Sequence, residues 1–139
     1  MEDWVLYALM SALSAALATI LAKFGLSGVD SMVATALRSI IMTLMAFLVL
    51  GVFRGFSGIS TVSTRDVIFI ILSGIAGGAS WIFYFMALQK GEASKVALID
   101  RSSILFVIVF SILLLGEKLT PQKFVAATLI TVALYLLLL

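Results

Sequence analysis

The sequence predicts an all-α integral membrane protein, a bundle of five transmembrane helices that fills the whole chain. Of its 139 residues, 63% are hydrophobic, and the mean hydropathy is +1.28. Soluble domains are about 45–50% apolar, so a soluble core of this size would not bury so much apolar surface. Five apolar runs each approach the roughly 20 residues that a helix needs to cross a bilayer. The lipid bilayer is therefore the expected partner of this chain.

The first two helices are expected at about residues 4–24 and 31–53, with a glycine-containing turn over 25–30. Glu2 and Asp3 precede the first apolar run, where a secretory signal would carry basic residues. We therefore interpret the first run as an uncleaved spanning helix.

The remaining three helices are expected at about residues 65–88, 93–115 and 121–139. Ser63, with Asp66 three residues later, is typical of a helix N-terminus. Because the turns are short, sequential helices should be antiparallel. The sequence indicates one domain over residues 1–139 and no separate linker.

The turn before the fifth helix has its own signals. Thr120 is a natural N-cap, and Pro121 suits the first helical position, where its missing N–H costs nothing. Glu117 lies at the end of the fourth helix, where the helix dipole disfavours an anion, so Lys118 or Lys123 should compensate it. We predict a structural role for Glu117, Thr120 and Pro121.

Positive charge is divided almost evenly between the two sides of the predicted bundle. The N-terminal side carries Arg54, Arg65, Lys118 and Lys123, and the other side carries Lys23, Lys90 and Lys95, with Arg38 and Arg101 inside helices. Orientation normally follows an excess of Lys and Arg on one side, which is absent here. Five spans place the termini on opposite sides of the membrane. Because the charge is almost even, insertion in either orientation is plausible, and we expect dual topology and an inverted pair.

Three stretches resemble the EamA domain of the drug/metabolite transporter superfamily, especially its short, single-domain members. They are Ser80 to Leu88 (SWIFYFMAL), Gly91 to Arg101 (GEASKVALIDR) and Leu115 to Pro121 (LGEKLTP). The resemblance implies one five-helix repeat of a fold whose larger members carry two repeats in opposite orientation. It also implies export of metabolites or drugs, and a second copy to complete the architecture, hence an antiparallel homodimer.

Two departures qualify this resemblance. Family members often have a proline where this chain has Leu98, so whether the start of the fourth helix is broken stays open. Small multidrug exporters of the superfamily carry a carboxylate in the first helix, where this chain offers only Ser11, Ser14 and Thr19. The resemblance therefore does not imply their proton-coupled mechanism here.

Arg38, Asp100 and Arg101 are the strongest candidates for a substrate or coupling site. Ionisable groups inside a spanning helix cost about 2.5–3.5 kcal/mol each, so they usually face a partner or a wet cavity. Arg38 and Asp100 each lie seven residues, roughly 10 Å, past the predicted start of their helices on the same side. We hypothesise that they form a coupled pair. The alternatives are an ion pair that only holds two helices together, and snorkelling of Arg101 and Lys95 to the headgroups.

The same side of the bundle is net basic, with five positive and three negative groups. They are Lys23, Arg38, Lys90, Lys95 and Arg101 against Asp30, Glu92 and Asp100. This favours an anionic group on a small-molecule substrate, with Lys23 as a further site candidate.

The third helix offers an aromatic and a glycine candidate. Trp81 lies deeper than Tyr84 and Phe85, so it is the candidate cavity wall, whereas the other two fit an interfacial aromatic belt. The close spacing of Gly74, Gly77 and Gly78 indicates close helix packing, or a hinge for alternating access.

These features together predict a secondary transporter that works by alternating access in the cell (inner or cytoplasmic) membrane. The alternative is a non-transporting membrane subunit that binds lipid or a partner protein. The chain contains no His and no Cys, which leaves a serine such as Ser80 without its usual activating base, so we expect no enzyme activity. We expect no cofactor, no metal site and, at net charge +2, no nucleic-acid partner.

Overall fold

The computed structural model describes residues 3–53 and 55–138, and every regular element in them is helical. The elements are α1 (Asp3–Gly25), α2 (Ser31–Phe53), a short 3-10 helix (Phe56–Thr61), α3 (Thr64–Lys90), α4 (Ala93–Asp100), α5 (Ser103–Leu115) and α6 (Pro121–Leu138). This confirms the predicted all-α fold. Glu2, Arg54 and Leu139, which entered the predictions above, lie outside the described residues.

Within residues 3–53 and 55–138, four stretches are long and apolar enough to cross a membrane: α1, α2, α3, and α4 with α5 taken together as Ala93–Leu115. The apolar helix α6 is shorter. The five predicted spans therefore correspond to these four stretches and α6, with bounds that differ by at most two residues.

Local side-chain caps explain where α2, α3 and α6 begin. Asp30 Oδ1 accepts the backbone N–H of Met32 at 2.8 Å, and Ser63 Oγ accepts that of Asp66 at 3.2 Å. Thr120 Oγ1 accepts the backbone N–H of Lys123 at 3.3 Å, with Pro121 as the first residue of α6. Each cap satisfies one of the N–H groups that a helix start leaves unpaired.

The chain forms two compact units, Met1–Lys90 and Gly91–Leu139. In the first unit α3 packs against both α1 and α2. Gln89 Nε2 donates to the Val29 carbonyl at 3.1 Å, which ties the turn before α2 to the end of α3. The start of α2 and the end of α3 therefore lie at the same end of this unit.

In the second unit α6 packs against both α4 and α5. The helix predicted over residues 93–115, for which a break near its start was left open, is interrupted after Asp100. The N–H of Ser102 donates to Ile99 and that of Ile104 donates to Arg101, so these hydrogen bonds span three residues where an α-helix spans four. The interruption coincides with Asp100-Arg101-Ser102-Ser103, the longest polar run of this span, which hydropathy over a long window averages away.

Candidate functional site

Arg38 and Trp81, two of the predicted site residues, contact each other between α2 and α3. The guanidinium carbon of Arg38 lies 3.8 Å from the centroid of the Trp81 ring and 5.5 Å from that of Phe85. Arg38 Nε also donates to the sulfur of Met42 at 3.4 Å. At these distances the rings attract the cation through their electron-rich faces. The structure thus gives the half-buried Arg38 an aromatic partner that the sequence analysis did not name.

The depth of this contact shows that the Arg38 side chain does not extend toward the end of the bundle. Arg38 lies seven residues after the first residue of α2, which corresponds to roughly 10 Å along the helix. Trp81 lies nine residues before the end of α3, or roughly 13 Å, and that end is at the same side. The guanidinium is therefore held at the depth of Trp81, well inside the span.

Tyr84 and Phe85 fix the position of Trp81. Both rings meet Trp81 edge-on, at centroid distances of 5.6 and 5.9 Å. The Tyr84 hydroxyl forms a 2.8 Å hydrogen bond with Thr19 of α1. The predicted interfacial belt is wrong for Phe85, which is only 3% exposed, and the half-buried Tyr84 faces α1. Residues one helical turn apart share a face, and the i, i+3, i+4 spacing from Trp81 is the signal that was missed.

A groove of about 660 Å³ runs between α2 and α3, and we call it the Arg38 groove. Its walls are Met32, Thr35, Ala36, Arg38, Ser39, Met42, Thr43, Gly74, Gly77, Gly78, Trp81 and Ile82. It therefore collects Arg38, Trp81 and all three glycine candidates in one place. Binding sites for small molecules typically enclose about 300–1,000 Å³, so the size fits a metabolite.

The three glycines keep this groove open. A Cβ atom built on Gly74, Gly77 or Gly78 would meet no neighbouring heavy atom within 4 Å. The predicted close packing on this face is thus not provided by α1 or α2. The absence of side chains leaves space beside Arg38, and this face of α3 stays available to a solute or to a second molecule.

A second groove, of about 530 Å³, lies along α1 and α2, and Arg38 and Phe85 belong to its walls as well. Ala18, Leu21, Ala22, Leu37 and Ile41 give it an apolar lining. Arg38 therefore belongs to the walls of both of these grooves.

Lys23, another predicted site residue, is placed differently. Its ammonium donates to the backbone carbonyl of Leu88 at 2.6 Å, in the last turn of α3. A cation at this end of a helix is stabilised by the unpaired carbonyls and the helix dipole. Lys23 belongs to the walls of neither groove, so its geometry supports a role in joining α1 to α3.

Asp100 and Arg101 lie at the helix interruption of the second unit, and both side chains are exposed. The hydrogen bonds that span three residues are donated by Ser102, Ile104 and Leu105, directly after this pair. The two charges therefore lie beside a change in backbone geometry. In spanning helices such interruptions are characteristic of transport sites. The coupling of Arg38 with Asp100 stays a prediction.

The turn from α5 to α6 is held by an ion pair. Lys123 Nζ donates to Glu117 Oε2 at 2.6 Å, and this bond lowers the pKa of Glu117 below its ordinary value. Gly116 adopts φ 68°, a left-handed conformation that glycine tolerates at a helix C-terminus. Among the described residues Lys123 is the lysine paired with Glu117, and Thr120 caps α6, which begins at Pro121.

The chain was compared with known families and proteins. The EamA-like transporter family matches residues 3–139. This chain belongs to the EamA-like transporter family. It is also 35% identical, over 136 residues, to a protein from Sinorhizobium sp. described as an uncharacterized transporter in the cobO 3′ region, with 98% of this chain and 96% of that protein covered. No solved structure matches.

Family membership confirms the resemblance drawn from the three sequence stretches. Together with the apolar helices of membrane length, it identifies an integral membrane protein and a membrane transporter.

Proposed function

We propose that this EamA-like protein is a secondary transporter that moves a small metabolite or drug-like solute by alternating access. In this proposal it works as an antiparallel homodimer in the inner, cytoplasmic membrane. The observation that carries the proposal is the stacking of Arg38 on Trp81 in the wall of the Arg38 groove. This places a permanent charge, an aromatic surface and open space together inside a membrane-spanning unit.

The half-buried charge of Arg38 is energetically costly. A guanidinium at this depth costs several kcal/mol of insertion free energy, and Trp81 offsets only about 0.5–2 kcal/mol of it. A purely structural contact between α2 and α3 is achieved more cheaply by apolar side chains. A contact between the guanidinium and a solute during transport would explain why the chain retains a charge at this cost.

The family architecture and the surface of α3 support the proposed homodimer. One five-helix repeat is half of an inverted-repeat transporter, in which substrate binds near the midplane between the halves. The face around Gly74, Gly77 and Gly78 is open to a second molecule at close approach. The even division of lysine and arginine supports insertion in both orientations.

Asp100 is the proposed second element of the site. We assign it to the coupling of solute binding with conformational change, because it is a carboxylate beside an interrupted helix. In this proposal Asp100 and Arg38 act together during transport, as the sequence predicts.

The test is flux in proteoliposomes, combined with topology mapping. Purified full-length protein would be reconstituted and assayed for uptake of a panel of small carboxylates, amides and amines. Reporters at both termini and cysteine crosslinking across Gly74 would determine orientation and pairing. Flux with both orientations and antiparallel crosslinks is expected.

Two outcomes would contradict parts of the proposal. A single fixed orientation with only parallel crosslinks would rule out the inverted dimer. Failure to move any solute of the panel, with tight retention of lipid, would favour a non-transporting subunit that binds lipid.

A further inference from the structure

We infer that the Arg38 groove binds an amphipathic organic monoanion, a carboxylate with an apolar body, with its carboxylate on the guanidinium of Arg38. The inference rests on the proposed function, because it names the chemical class of the transported solute. Four properties of the groove support it. They are the N–H groups of Arg38 that remain available, the hydroxyl groups that already donate, the apolar walls, and the depth of the guanidinium.

The first property is that most donors of Arg38 are uncommitted within the first unit. A guanidinium has five N–H groups, and the hydrogen bond described for Arg38 goes from Nε to a thioether, which is a weak acceptor. Among the described residues of the first unit, Asp3 lies in the first turn of α1, Asp30 caps α2, and Asp66 accepts a hydrogen bond from Ser63. The hydrogen bonds of Asp30 and Asp66 are therefore made elsewhere, and the fork of terminal amino groups of Arg38 suits a carboxylate in bidentate geometry.

The second property is that the hydroxyl groups of the groove have already used their hydrogens. Thr35, Ser39 and Thr43 each donate to a backbone carbonyl one turn earlier on α2, at 2.7, 2.8 and 2.9 Å. They therefore offer oxygen acceptors to a solute and no further donors. Because Arg38 is the single ionisable side chain among the described walls, a second negative charge on the solute would stay uncompensated.

The third property is an apolar surface for the rest of the solute. Trp81, Met32, Met42 and Ile82 surround the space left by the glycines. Thioether side chains adapt to irregular apolar ligands, and the Trp81 ring offers a flat face. An apolar or aromatic body of metabolite size fits these walls.

The fourth property is depth, which separates a free carboxylate from the other anion available in a membrane, a lipid phosphate. The guanidinium is held beside Trp81, roughly 10–13 Å along the helices from the nearer end of the bundle. Lipid phosphates lie at the headgroup level, outside the hydrocarbon core. We therefore assign the site to a solute that enters the groove.

The test uses the fluorescence of Trp81 in the full-length protein. The chain has two tryptophans, so Trp4→Phe leaves Trp81 as the single reporter in the wall of the groove. The detergent-solubilised protein would be titrated with 3-phenylpropionate and with the neutral, isosteric 3-phenylpropionamide. We expect saturable quenching, with the carboxylate bound at least tenfold more tightly than the amide. Phenylsuccinate, which carries two charges, should bind more weakly than the monoanion.

Matched variants locate the effect. Arg38→Gln should abolish the preference for carboxylate over amide, and Arg38→Lys should weaken binding several-fold while it retains the preference. Arg65→Gln is the control, because Arg65 also lies near an aromatic ring, at 5.9 Å from Phe69, but outside the groove. It should bind like the parent. If circular dichroism and size-exclusion elution show that Arg38→Gln does not fold, the inference is still tested by Arg38→Lys and by the affinities of the parent for the carboxylate and the amide.

Several outcomes would overturn the inference. Equal affinity for carboxylate and amide, or equal loss in the Arg38 and Arg65 variants, would exclude a specific anion site. Inorganic phosphate that displaces the probe at similar concentration would indicate an ion site without recognition of an organic body. An Arg38-dependent signal from phosphatidylglycerol vesicles, absent with phosphatidylcholine and with 3-phenylpropionate, would assign the groove to lipid.

This test is separable from the flux assay. Arg38-dependent binding without any flux would contradict transport and leave the binding site standing. Flux without a carboxylate preference would contradict the inference and leave transport standing.

Discussion

The guanidinium of Arg38 on α2 lies 3.8 Å from the centre of the Trp81 ring on α3. Such contacts contribute about 0.5–1 kcal/mol when exposed and about 2 kcal/mol when desolvated. Both residues also belong to the walls of one groove. The same contact therefore holds α2 against α3 and forms part of the candidate site. A change in either residue should therefore affect both stability and transport.

Replacing Trp81 separates these two effects. Trp81→Phe keeps a ring beneath the guanidinium and should retain most flux, whereas Trp81→Leu should lower flux at least tenfold. Loss of the aromatic face should also cost about 0.5–2 kcal/mol of unfolding free energy. Flux in proteoliposomes and denaturant unfolding in detergent are the measurements. Trp4→Leu is the control, and equal effects at the two positions would exclude a special role for Trp81.

Arg38 and Asp100 test the proposed coupling. Arg38→Gln and Asp100→Asn should each reduce flux strongly, and the double variant should lose less than the two single losses combined, because coupled residues are not additive. The control pair is Glu92 and Lys95, an exposed ion pair at 3.1 Å whose neutralisation should change little, since surface pairs contribute little. Wild-type flux in both single variants, with normal insertion, would refute the coupling.

The sequence predicted the parts of this protein that depend on composition and local signals. Hydropathy gave the spanning helices, and the caps at Ser63 and Thr120 follow from short-range chemistry. It left open whether the fourth span is broken and did not predict the position after Asp100, because the apolar residues on both sides dominate a long window.

The candidate site was predicted residue by residue, without its geometry. Arg38 and Trp81 were singled out for separate reasons, a charge in a span and the depth of an aromatic ring. Their contact depends on the rotation of α2 against α3, which sequence spacing within one helix does not determine. The burial of Phe85 was missed for a different reason, because its spacing of four residues from Trp81, which places both on one face of α3, was not used.

The hydrogen bond between Thr19 and Tyr84 should stabilise the contact of α1 with α3. Tyr84→Phe and Thr19→Val should each lower the unfolding free energy by about 0.5–1.5 kcal/mol, the usual net contribution of such a bond. The double variant should cost less than the sum of the two, because the residues share one bond at 2.8 Å. Denaturant unfolding in detergent measures all three, and strict additivity would show that the bond is not formed in the membrane protein.

Alanine in place of Gly74 or Gly78 should stabilise the monomer but weaken the dimer. An added methyl group meets no atom within 4 Å, and alanine favours a helix by about 0.5–1 kcal/mol, so each alanine variant should raise monomer stability. If a second copy packs on this face, the same variants should reduce crosslinked dimer. Gly51→Ala is the control, because Gly51 lies outside both grooves, near the Phe56 ring. Unchanged crosslinking in all three would argue against this face as the dimer contact.

The ion pair of Glu117 and Lys123 should make the α5–α6 turn sensitive to acid. Lys123 lowers the pKa of Glu117 below the ordinary 4.5, so the ionised pair stabilises the folded state fully above that value. As the pH falls from about 4.5 toward the lower folded-state pKa, Glu117 becomes protonated and the contribution is lost. The difference in Tm between the parent and Lys123→Gln should therefore be constant near neutral pH and shrink below pH 4.5. Lys118→Gln, at a neighbouring lysine that forms no ion pair among the described residues, should show no such trend. In a Glu117→Gln background the effect of Lys123→Gln should lose its dependence on pH, and persistence of that dependence would assign it to another group.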